Sequence, residues 1–207
     1  MADMEFPMYI AGAAVKTDAP MEVSLPFDGS RVATVYQASR REIDAAVEAA
    51  VKALPVMREM TRDERSGILR RAHVGLLERR DAFASAISSE SGKPIKEARI
   101  EAERAAYTLL FSSEEAHRLV GEVVPMDAEP AGKGRWAMTV REPVGVIAAI
   151  TPFNFPLNLA MHKIGPALAA GNTVVHKPAS TTPVSGLMMA ELFEECGLPK
   201  GALNVIT

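Results

Sequence analysis

Residues 144–150, Val-Gly-Val-Ile-Ala-Ala-Ile, form an apolar run without a polar face, and no other feature constrains the fold as strongly. Such a run is typical of a strand covered on both sides, as in a parallel sheet flanked by helices. The pattern after it predicts a helix at 156–171, a strand at 173–176, a helix at 182–196 capped by Thr182, and a strand at 203–206. This alternation predicts an α/β fold with right-handed crossovers and a doubly wound sheet.

The chain ends on the third of these strands, and no covering helix follows it. A domain of this class normally finishes with further strands and helices that complete its sheet. We therefore expect the doubly wound sheet to be incomplete in this chain.

The first part of the sequence predicts short strands and then a helical region. Within 1–36, short apolar runs are broken by Gly and Pro residues, as expected of small strands and hairpin turns. Two capping-box signals follow, Ser39 with Glu42 and Thr61 with Glu64, and each predicts the start of a helix.

Four helices are predicted between residues 39 and 121, and apolar residues recur in them at helical spacing. In the first helix these residues are Ile43, Val47, Val51 and Leu54. A third helix is predicted at 81–90 and a fourth at 94–119, which carries along one face Ala98, Ala102, Ala105, Leu109 and Ala116. Gly121 is expected to end the fourth helix in a left-handed conformation.

The sequence pattern changes after Gly121, which suggests that the chain has three parts. Residues 121–143 alternate weakly and contain the Gly-rich turn Ala131-Gly132-Lys133-Gly134, so they predict a β-hairpin. Residues 1–120 form a first part of short strands and helices, and residues 144–207 form the start of the predicted α/β sheet.

Composition excludes several classes of function. The chain is 48% hydrophobic and 24% charged with a net charge of -3, which fits a globular protein and argues against nucleic-acid binding. No stretch approaches the roughly 18 apolar residues of a membrane span. The single Cys excludes an internal disulfide, and the start of the chain lacks the layout of a signal peptide. These features together predict a cytoplasmic protein.

Neither a metal site nor a phosphate loop is predicted. None of the four His residues is paired with another ligand residue at metal-binding spacing. The tripeptide Ser91-Gly92-Lys93 resembles the end of a phosphate loop, but Ile87 stands where the first Gly is required and Pro94 replaces the final Ser or Thr.

Five sequence blocks between residues 142 and 207 closely resemble the NAD(P)-dependent aldehyde dehydrogenase superfamily. They are Glu142-Pro-Val-Gly-Val-Ile, Ile150-Thr-Pro-Phe-Asn-Phe-Pro156, Lys163-Ile-Gly-Pro-Ala-Leu-Ala-Ala-Gly-Asn172, His176-Lys-Pro-Ala-Ser180 and Gly197-Leu-Pro-Lys-Gly-Ala-Leu-Asn-Val205. The resemblance extends less distinctively over the earlier helices and hairpin. It implies an aldehyde-dehydrogenase-like fold and the amino-terminal part of an enzyme that oxidises aldehydes to carboxylates. In such an enzyme, residues 1–120 would be N-terminal strands and helices that pack on the cofactor domain, and residues 144–207 would be the first part of that dinucleotide-binding domain.

The resemblance assigns a cofactor surface to residues near the ends of the predicted strands. NAD or NADP would lie along Ile150, Thr151, Pro152 and Phe153, and Lys177 would bond the adenosine ribose hydroxyls. Ser180 occupies a position at which strict NAD users in this family commonly carry a Glu. Taken alone, Lys177 could also be an ordinary surface lysine and Ser180 the start of a turn.

Substrate and subunit contacts are implied in the same way. Asn154 matches the family's oxyanion donor, and Phe155, Leu159 and His162 match positions of the substrate tunnel. Taken alone, Asn154 could cap a helix, and Phe155 and Leu159 could be core residues. A His in the tunnel favours a small polar or anionic aldehyde. The hairpin at 121–143 matches the arm through which family members form homo-oligomers.

The family's nucleophilic Cys and its Glu base match no residue of this chain. Cys196 precedes Gly197-Leu-Pro, which is not the context of a family nucleophile, and it is predicted to be a packing residue. The 207-residue chain is therefore expected to be inactive alone. Two alternatives remain open, a non-catalytic nucleotide-binding or assembly fragment, and part of an enzyme that releases its product to coenzyme A.

Overall fold

A computed structural model describes residues 4–207 of the chain. Residues 1–3, which begin the predicted strand region 1–36, lie outside the described part. Within residues 4–207, no helix is long and apolar enough to cross a membrane.

The described part contains short strands, six α-helices and two single-turn 3-10 segments. The strands are β1 (Met8–Ile10), β2 (Ala13–Val15), β3 (Pro20–Ser24), β4 (Arg31–Tyr36), β5 (Val123–Val124), β6 (Ala137–Met138), β7 (Val146–Ile150), β8 (Thr173–Lys177) and β9 (Leu203–Val205). The helices are α1 (Arg40–Glu59), α2 (Arg62–Glu78), α3 (Arg80–Ser91), α4 (Ile95–Arg118), α5 (Asn158–Ala169) and α6 (Val184–Glu195). All six predicted helices and the three predicted parallel strands are therefore present, with ends that differ by a few residues.

A five-stranded sheet in the order β2-β1-β9-β8-β7 organises the fold. Strands β7, β8 and β9 are parallel, whereas the β1-β2 hairpin joins them antiparallel through the pairing of Tyr9 with Val205. The predicted α/β fold with a parallel sheet is confirmed. The N-terminal hairpin extends the same sheet, which the sequence alone did not predict.

Helices cover both faces of this sheet because successive strand residues point to opposite sides. On one face, Val175 of β8 packs with Ala46 and Ala50 of α1. On the other face, Val174 belongs to the larger core that includes Leu168 of α5 and Leu187 of α6. Strand β8, the middle one of the three parallel strands, is thus buried between two helical layers.

Both predicted capping boxes are formed, but the buried face of α1 differs from the expected one. Its buried residues are Ala46, Ala50, Ala53 and Met57, whereas the larger Ile43, Val47 and Val51 are exposed. Small side chains allow α1 to approach the sheet so closely that the Thr173 hydroxyl donates to the Ala50 carbonyl at 3.0 Å.

The hairpin is present, but Gly121 does not have the predicted role. Helix α4 ends at Arg118 with Leu119 as its cap, and Gly121 is not in the left-handed conformation. A Cβ at Gly121 would lie 1.6 Å from the Thr139 carbonyl oxygen, so close approach of the hairpin strands requires glycine there. The hairpin itself is short, since β5 and β6 pair over two residues each.

Helices α1 and α5 contact β7 from opposite faces, but β7 is less buried than the 144–150 run predicts. In the described part, β7 lies at the edge of the sheet and pairs only with β8. Ala149 is its fully buried residue, while Ile150 is 66% exposed and the preceding Val144 is 90% exposed. The strand that matches the expected burial is its neighbour β8.

Candidate active site

The carboxyl ends of β7 and β8 lie side by side and carry residues predicted to line the cofactor. Ile150 pairs with Lys177 in parallel register, and the Thr151 amide donates to the Lys177 carbonyl at 3.2 Å. The side chains of Ile150 and Phe153 are exposed and provide an apolar surface at this edge. Ligands of open α/β sheets bind at this end of the parallel strands.

The other predicted cofactor residues lie in the loops that leave this edge. Pro152 and Ser180 are exposed, whereas Lys177 is half-buried. The Lys177 ammonium donates to the carbonyl oxygen of Pro178 at 3.0 Å, so it lies close to its own backbone. Ser180 stands at the start of the turn that leads into α6.

A buried histidine supports the first residue of the β7 loop. His176 is fully buried in β8, and its Nε2 shares a hydrogen bond of 3.0 Å with the hydroxyl of buried Thr151. Burial, and to a lesser extent the charge of Lys177, lowers the pKa of His176 to about 3. The imidazole is therefore neutral and holds Thr151 in place.

The first amides of helix α6 are bound by a buried carboxylate and not by Thr182. Glu90 of α3 accepts hydrogen bonds from the amides of Val184 and Ser185 and from the Ser185 hydroxyl, at 2.6, 3.2 and 2.6 Å. The Thr182 hydroxyl is buried and finds no partner among the described residues. The predicted Thr182 cap is therefore wrong, because a side chain from another helix satisfies these amides.

The electrostatic state of Glu90 reflects two opposing effects. Burial raises the pKa of the Glu90 carboxyl to about 7, and the nearby charge of Glu101 adds to this. Hydrogen bonds from Ser185 and Val184 act in the opposite direction without cancelling the effect of burial. Near neutral pH this carboxyl is thus close to its point of half-protonation.

The first amides of helix α5 are likewise bound by a buried carboxylate, that of Glu101 in α4. One oxygen of this carboxylate accepts from the Leu157 and Asn158 amides, at 3.1 and 3.2 Å. Free amides at a helix N-terminus commonly bind phosphate. Protein carboxylates bind the first amides of both α5 and α6, so these amides are not free to bind a phosphate.

Sequence reasoning missed Glu90 and Glu101, although a signal was present. Glu101 stands between Ala98 and Ala105 on the apolar face predicted for α4, and Glu90 follows buried Ile87 by three residues. An acidic residue within an apolar stripe is rarely buried unless it has a partner. Its partner amides are distant in sequence, so their identity could not be predicted.

Asn154 lies in the exposed loop between β7 and α5. It does not cap α5, whose cap position is Leu157 and has no side-chain cap hydrogen bond. The Lys93 ammonium donates to the Asn154 carbonyl oxygen at 2.9 Å and lies 4.2 Å from the centre of the Phe155 ring. Lys93 also forms an ion pair with Glu101.

The three predicted tunnel residues lie along one side of the Asn154 loop and α5. Phe155 and His162 are exposed, and Leu159 is half-buried, so none of them is a fully buried core residue. A groove of about 290 Å³ separates α4 from α5 and is lined by His162, Pro166, Ala169, Thr108, Phe111, Ser112, Glu115 and Leu119. The Arg104 guanidinium of α4 lies 5.9 Å from the centre of the Phe155 ring.

Cys196 is a buried residue at the end of α6. Its carbonyl accepts hydrogen bonds from the Arg71 guanidinium at 3.0 and 2.8 Å, and its thiol packs in the main core. Burial raises the pKa of the thiol, which disfavours the reactive thiolate. This placement agrees with the predicted packing role.

The family profile described as "Aldehyde dehydrogenase family" matches residues 14–207, nearly the whole chain. This chain belongs to the aldehyde dehydrogenase family. The motifs around Asn154 and Lys177 thus belong to a family of oxidoreductases.

Curated aldehyde dehydrogenase relatives align along almost all of the chain. A 3-sulfolactaldehyde dehydrogenase of Priestia megaterium is 46% identical over 203 residues, which are 98% of this chain and 42% of the relative. The mitochondrial succinate-semialdehyde dehydrogenase of Homo sapiens is 41% identical over 198 residues, 96% of this chain and 36% of the relative. The chain thus spans about two-fifths of the length of the relatives it matches.

Solved aldehyde dehydrogenase structures share the fold. Aldehyde dehydrogenase 21 from Physcomitrella patens, in complex with the reaction product succinate, superposes with a TM-score of 0.96 at 36% identity, covering 100% of this chain and 43% of that one. The NADP-dependent glyceraldehyde-3-phosphate dehydrogenase from Bacillus halodurans, complexed with NADP, gives a TM-score of 0.95 at 34% identity, covering 99% and 44%.

Proposed function

We propose that a full-length enzyme containing this chain oxidises an aldehyde to a carboxylate while NAD or NADP is reduced. The observation that carries this proposal is the exposed Asn154 loop beside the cofactor edge of β7 and β8, in a chain that belongs to the aldehyde dehydrogenase family. The nucleophilic Cys and the base would lie outside this chain. The 207-residue chain alone would then have no turnover.

The chemistry assigned to this chain is stabilisation and binding. The Asn154 amide would donate a hydrogen bond to the substrate oxygen as it becomes negative in the thiohemiacetal, a role that preorganised donors commonly perform. Lys177 would bond the ribose hydroxyls, and the surface formed by Ile150, Thr151, Pro152 and Phe153 would hold the dinucleotide. The dinucleotide, when bound, accepts the hydride.

For the cofactor, we expect the full-length enzyme to use NADP at least as well as NAD. A carboxylate at position 180 would repel a 2′-phosphate by about 4 kcal/mol at 4 Å and an effective dielectric near 20. Ser180 is neutral and exposed, so this repulsion is absent. Ser180→Glu should therefore lower kcat/KM for NADP relative to NAD at least tenfold in steady-state kinetics.

The neighbouring Thr181→Glu is a matched control, because Thr181 is also exposed and lies one residue further along the turn. This variant should leave the ratio of kcat/KM for NADP to kcat/KM for NAD within about twofold of the wild-type value. A wild-type preference for NAD above tenfold that Ser180→Glu leaves unchanged would show that residue 180 does not set the choice.

For the substrate, we propose a small aldehyde that carries an acidic group. The relatives named above act on 3-sulfolactaldehyde and succinate semialdehyde. In this chain the His162 side chain, which can form hydrogen bonds, lines the groove, and the Arg104 guanidinium lies 5.9 Å from the Phe155 ring. The one acid of the groove, Glu115, is paired with Arg118 at 2.6 Å. These side chains suit an anionic substrate better than a long alkyl one.

The expected result is that kcat/KM of the full-length enzyme is at least tenfold higher for succinate semialdehyde than for the uncharged aldehyde hexanal. His162→Leu should reduce this ratio about tenfold, mainly through KM, because it removes a polar contact with the distant acid group. His117→Leu, at an exposed position of α4, is the control. A wild-type preference for hexanal would contradict the substrate class, and the 207-residue chain assayed alongside should show no turnover.

A second proposed role is assembly through the hairpin. Exposed apolar side chains are concentrated there, at Val123, Trp136, Met138 and Val140. Large exposed apolar patches commonly mark protein–protein contacts. We propose that the full-length protein forms a homo-oligomer through 121–143 in the cytoplasm. The non-catalytic alternative would retain this contact without turnover.

A further inference from the structure

Lys93 occupies a fixed position at the edge of the candidate site. It follows Gly92, which ends α3 in the left-handed conformation with a φ of 70°. The Lys93 carbonyl accepts a hydrogen bond of 2.7 Å from the Ser88 hydroxyl, so the backbone at this residue is held to α3. Only 16% of its side chain is exposed.

From this position the Lys93 ammonium contacts three groups. It forms an ion pair with Glu101, donates to the Asn154 carbonyl at 2.9 Å, and lies 4.2 Å from the Phe155 ring centre. A cation over an aromatic ring adds an attraction that grows as water is excluded. A single side chain thus binds two consecutive residues of the loop.

Glu101 binds the other end of the same loop. Its fully buried carboxylate contacts Lys93 with one oxygen and the Leu157 and Asn158 amides with the other. The ion pair therefore connects α3 and α4 to both ends of the segment 154–158. Asn154 lies at the start of that segment, where its direction depends on both anchors.

We infer that Lys93 and Glu101 are positioning residues for Asn154. Neither needs to touch the substrate, because both act through the backbone of the loop. Without Lys93, the buried Glu101 carboxylate loses its positive partner and keeps only two amides, which is costly for a buried charge. We therefore expect loss of Lys93 to loosen the contacts of Glu101 with the loop. The catalytic importance of Asn154 rests on the proposed function, whereas the restraint of the loop does not.

The inference can be tested on the 207-residue protein by amide hydrogen exchange measured by NMR. Lys93→Met removes the charge and both polar contacts while keeping an apolar chain of similar length. Exchange at the Leu157 and Asn158 amides should increase at least tenfold, and 15N relaxation should show a more mobile Asn154 side-chain amide. Lys93→Arg should restore most of the protection, because it keeps the positive charge.

Two internal comparisons separate positioning from general destabilisation. Exposed Lys96, in the first turn of α4, provides the control variant Lys96→Met. The Val174 amide, which bonds the Ala202 carbonyl at 2.8 Å within the sheet, reports global opening. In Lys93→Met, exchange at the Leu157 and Asn158 amides should increase more than exchange at the Val174 amide. In Lys96→Met, exchange at these two loop amides should stay as in the wild type.

Unchanged exchange at Leu157 and Asn158 in Lys93→Met, or an increase equal to that of Val174, would overturn the inference. If Lys93→Met does not fold, Glu101→Gln provides the same measurement, because a neutral acceptor binds amides less strongly than a carboxylate. Native protection in Glu101→Gln would also overturn it. Because the measurement needs neither aldehyde nor cofactor, its result is independent of whether the proposed reaction is correct.

Discussion

Asn154→Ala in the full-length enzyme is expected to lower kcat by a factor of about 100 to 1000. Removal of one preorganised oxyanion donor typically has an effect of this size, which corresponds to roughly 3–4 kcal/mol. KM for the aldehyde should change little, since the contact strengthens only as charge develops on the substrate oxygen. Steady-state kinetics with a saturating cofactor measure both constants.

Asn154→Asp serves as a second variant, because it preserves the size of the side chain and removes the amide donor. It should lose as much activity as Asn154→Ala. Asn154 is exposed and does not cap α5, so thermal unfolding of both variants should match the wild type. A kcat within about fivefold of the wild type in either variant would contradict the oxyanion role.

Glu90→Gln is expected to change how stability depends on pH. The pKa of Glu90 rises from 4.5 in the unfolded chain to about 7 in the folded protein, because the carboxyl is buried. The folded state therefore binds more protons between these values. The contribution of Glu90 to the free energy of unfolding has its full value of roughly 3 kcal/mol below about pH 4.5. This contribution is lost as the pH rises through about 7.

Urea unfolding at several pH values between 4.5 and 8 would measure this contribution. The free energy of unfolding of the wild type should fall relative to that of Glu90→Gln as pH increases, because Gln cannot ionise. Glu97→Gln, at an exposed position in the first turn of α4, is the control and should follow the wild type. Parallel curves for the wild type and Glu90→Gln would disprove the assigned ionisation.

Local signals in the sequence predicted the helices and parallel strands well, because those signals act within a few residues. The capping boxes at Ser39 and Thr61 are decided by neighbouring groups. The prediction that Thr182 caps α6 is wrong because the deciding contact comes from a residue distant in sequence. The α6 amides bind Glu90, which lies 94 residues before Val184.

Burial was harder to predict than secondary structure. The spacing of Ile43, Val47 and Val51 indicated a helix, yet Ala46 and Ala50 face the sheet, because a close approach leaves room only for small side chains. The run at 144–150 predicted a strand, but its place at the sheet edge follows from strand order, which no local pattern contains.

The candidate site was predicted only in part, for a similar reason. Motif resemblance indicated Asn154 and Lys177, since both lie in distinctive blocks. The sequence around Lys93 resembles only a phosphate loop, which Ile87 and Pro94 exclude. Its contacts with Asn154 and Glu101 arise from the packing of α3 and α4 against the β7 loop, across 61 residues in the case of Asn154.

The pairing of the N-terminal hairpin with β9 has a consequence for the order of folding. The Ala11 amide donates to the Asn204 side chain at 2.9 Å, across 193 residues of sequence. Contacts between such distant residues form slowly, because a long loop must close before any contact compensates its entropy. During synthesis, the β1-β2 hairpin cannot pair with the rest of the sheet until β9 has left the ribosome. The helices α2, α3 and α4 contact one another locally and can form in that interval, so the contact between β1 and β9 forms after them.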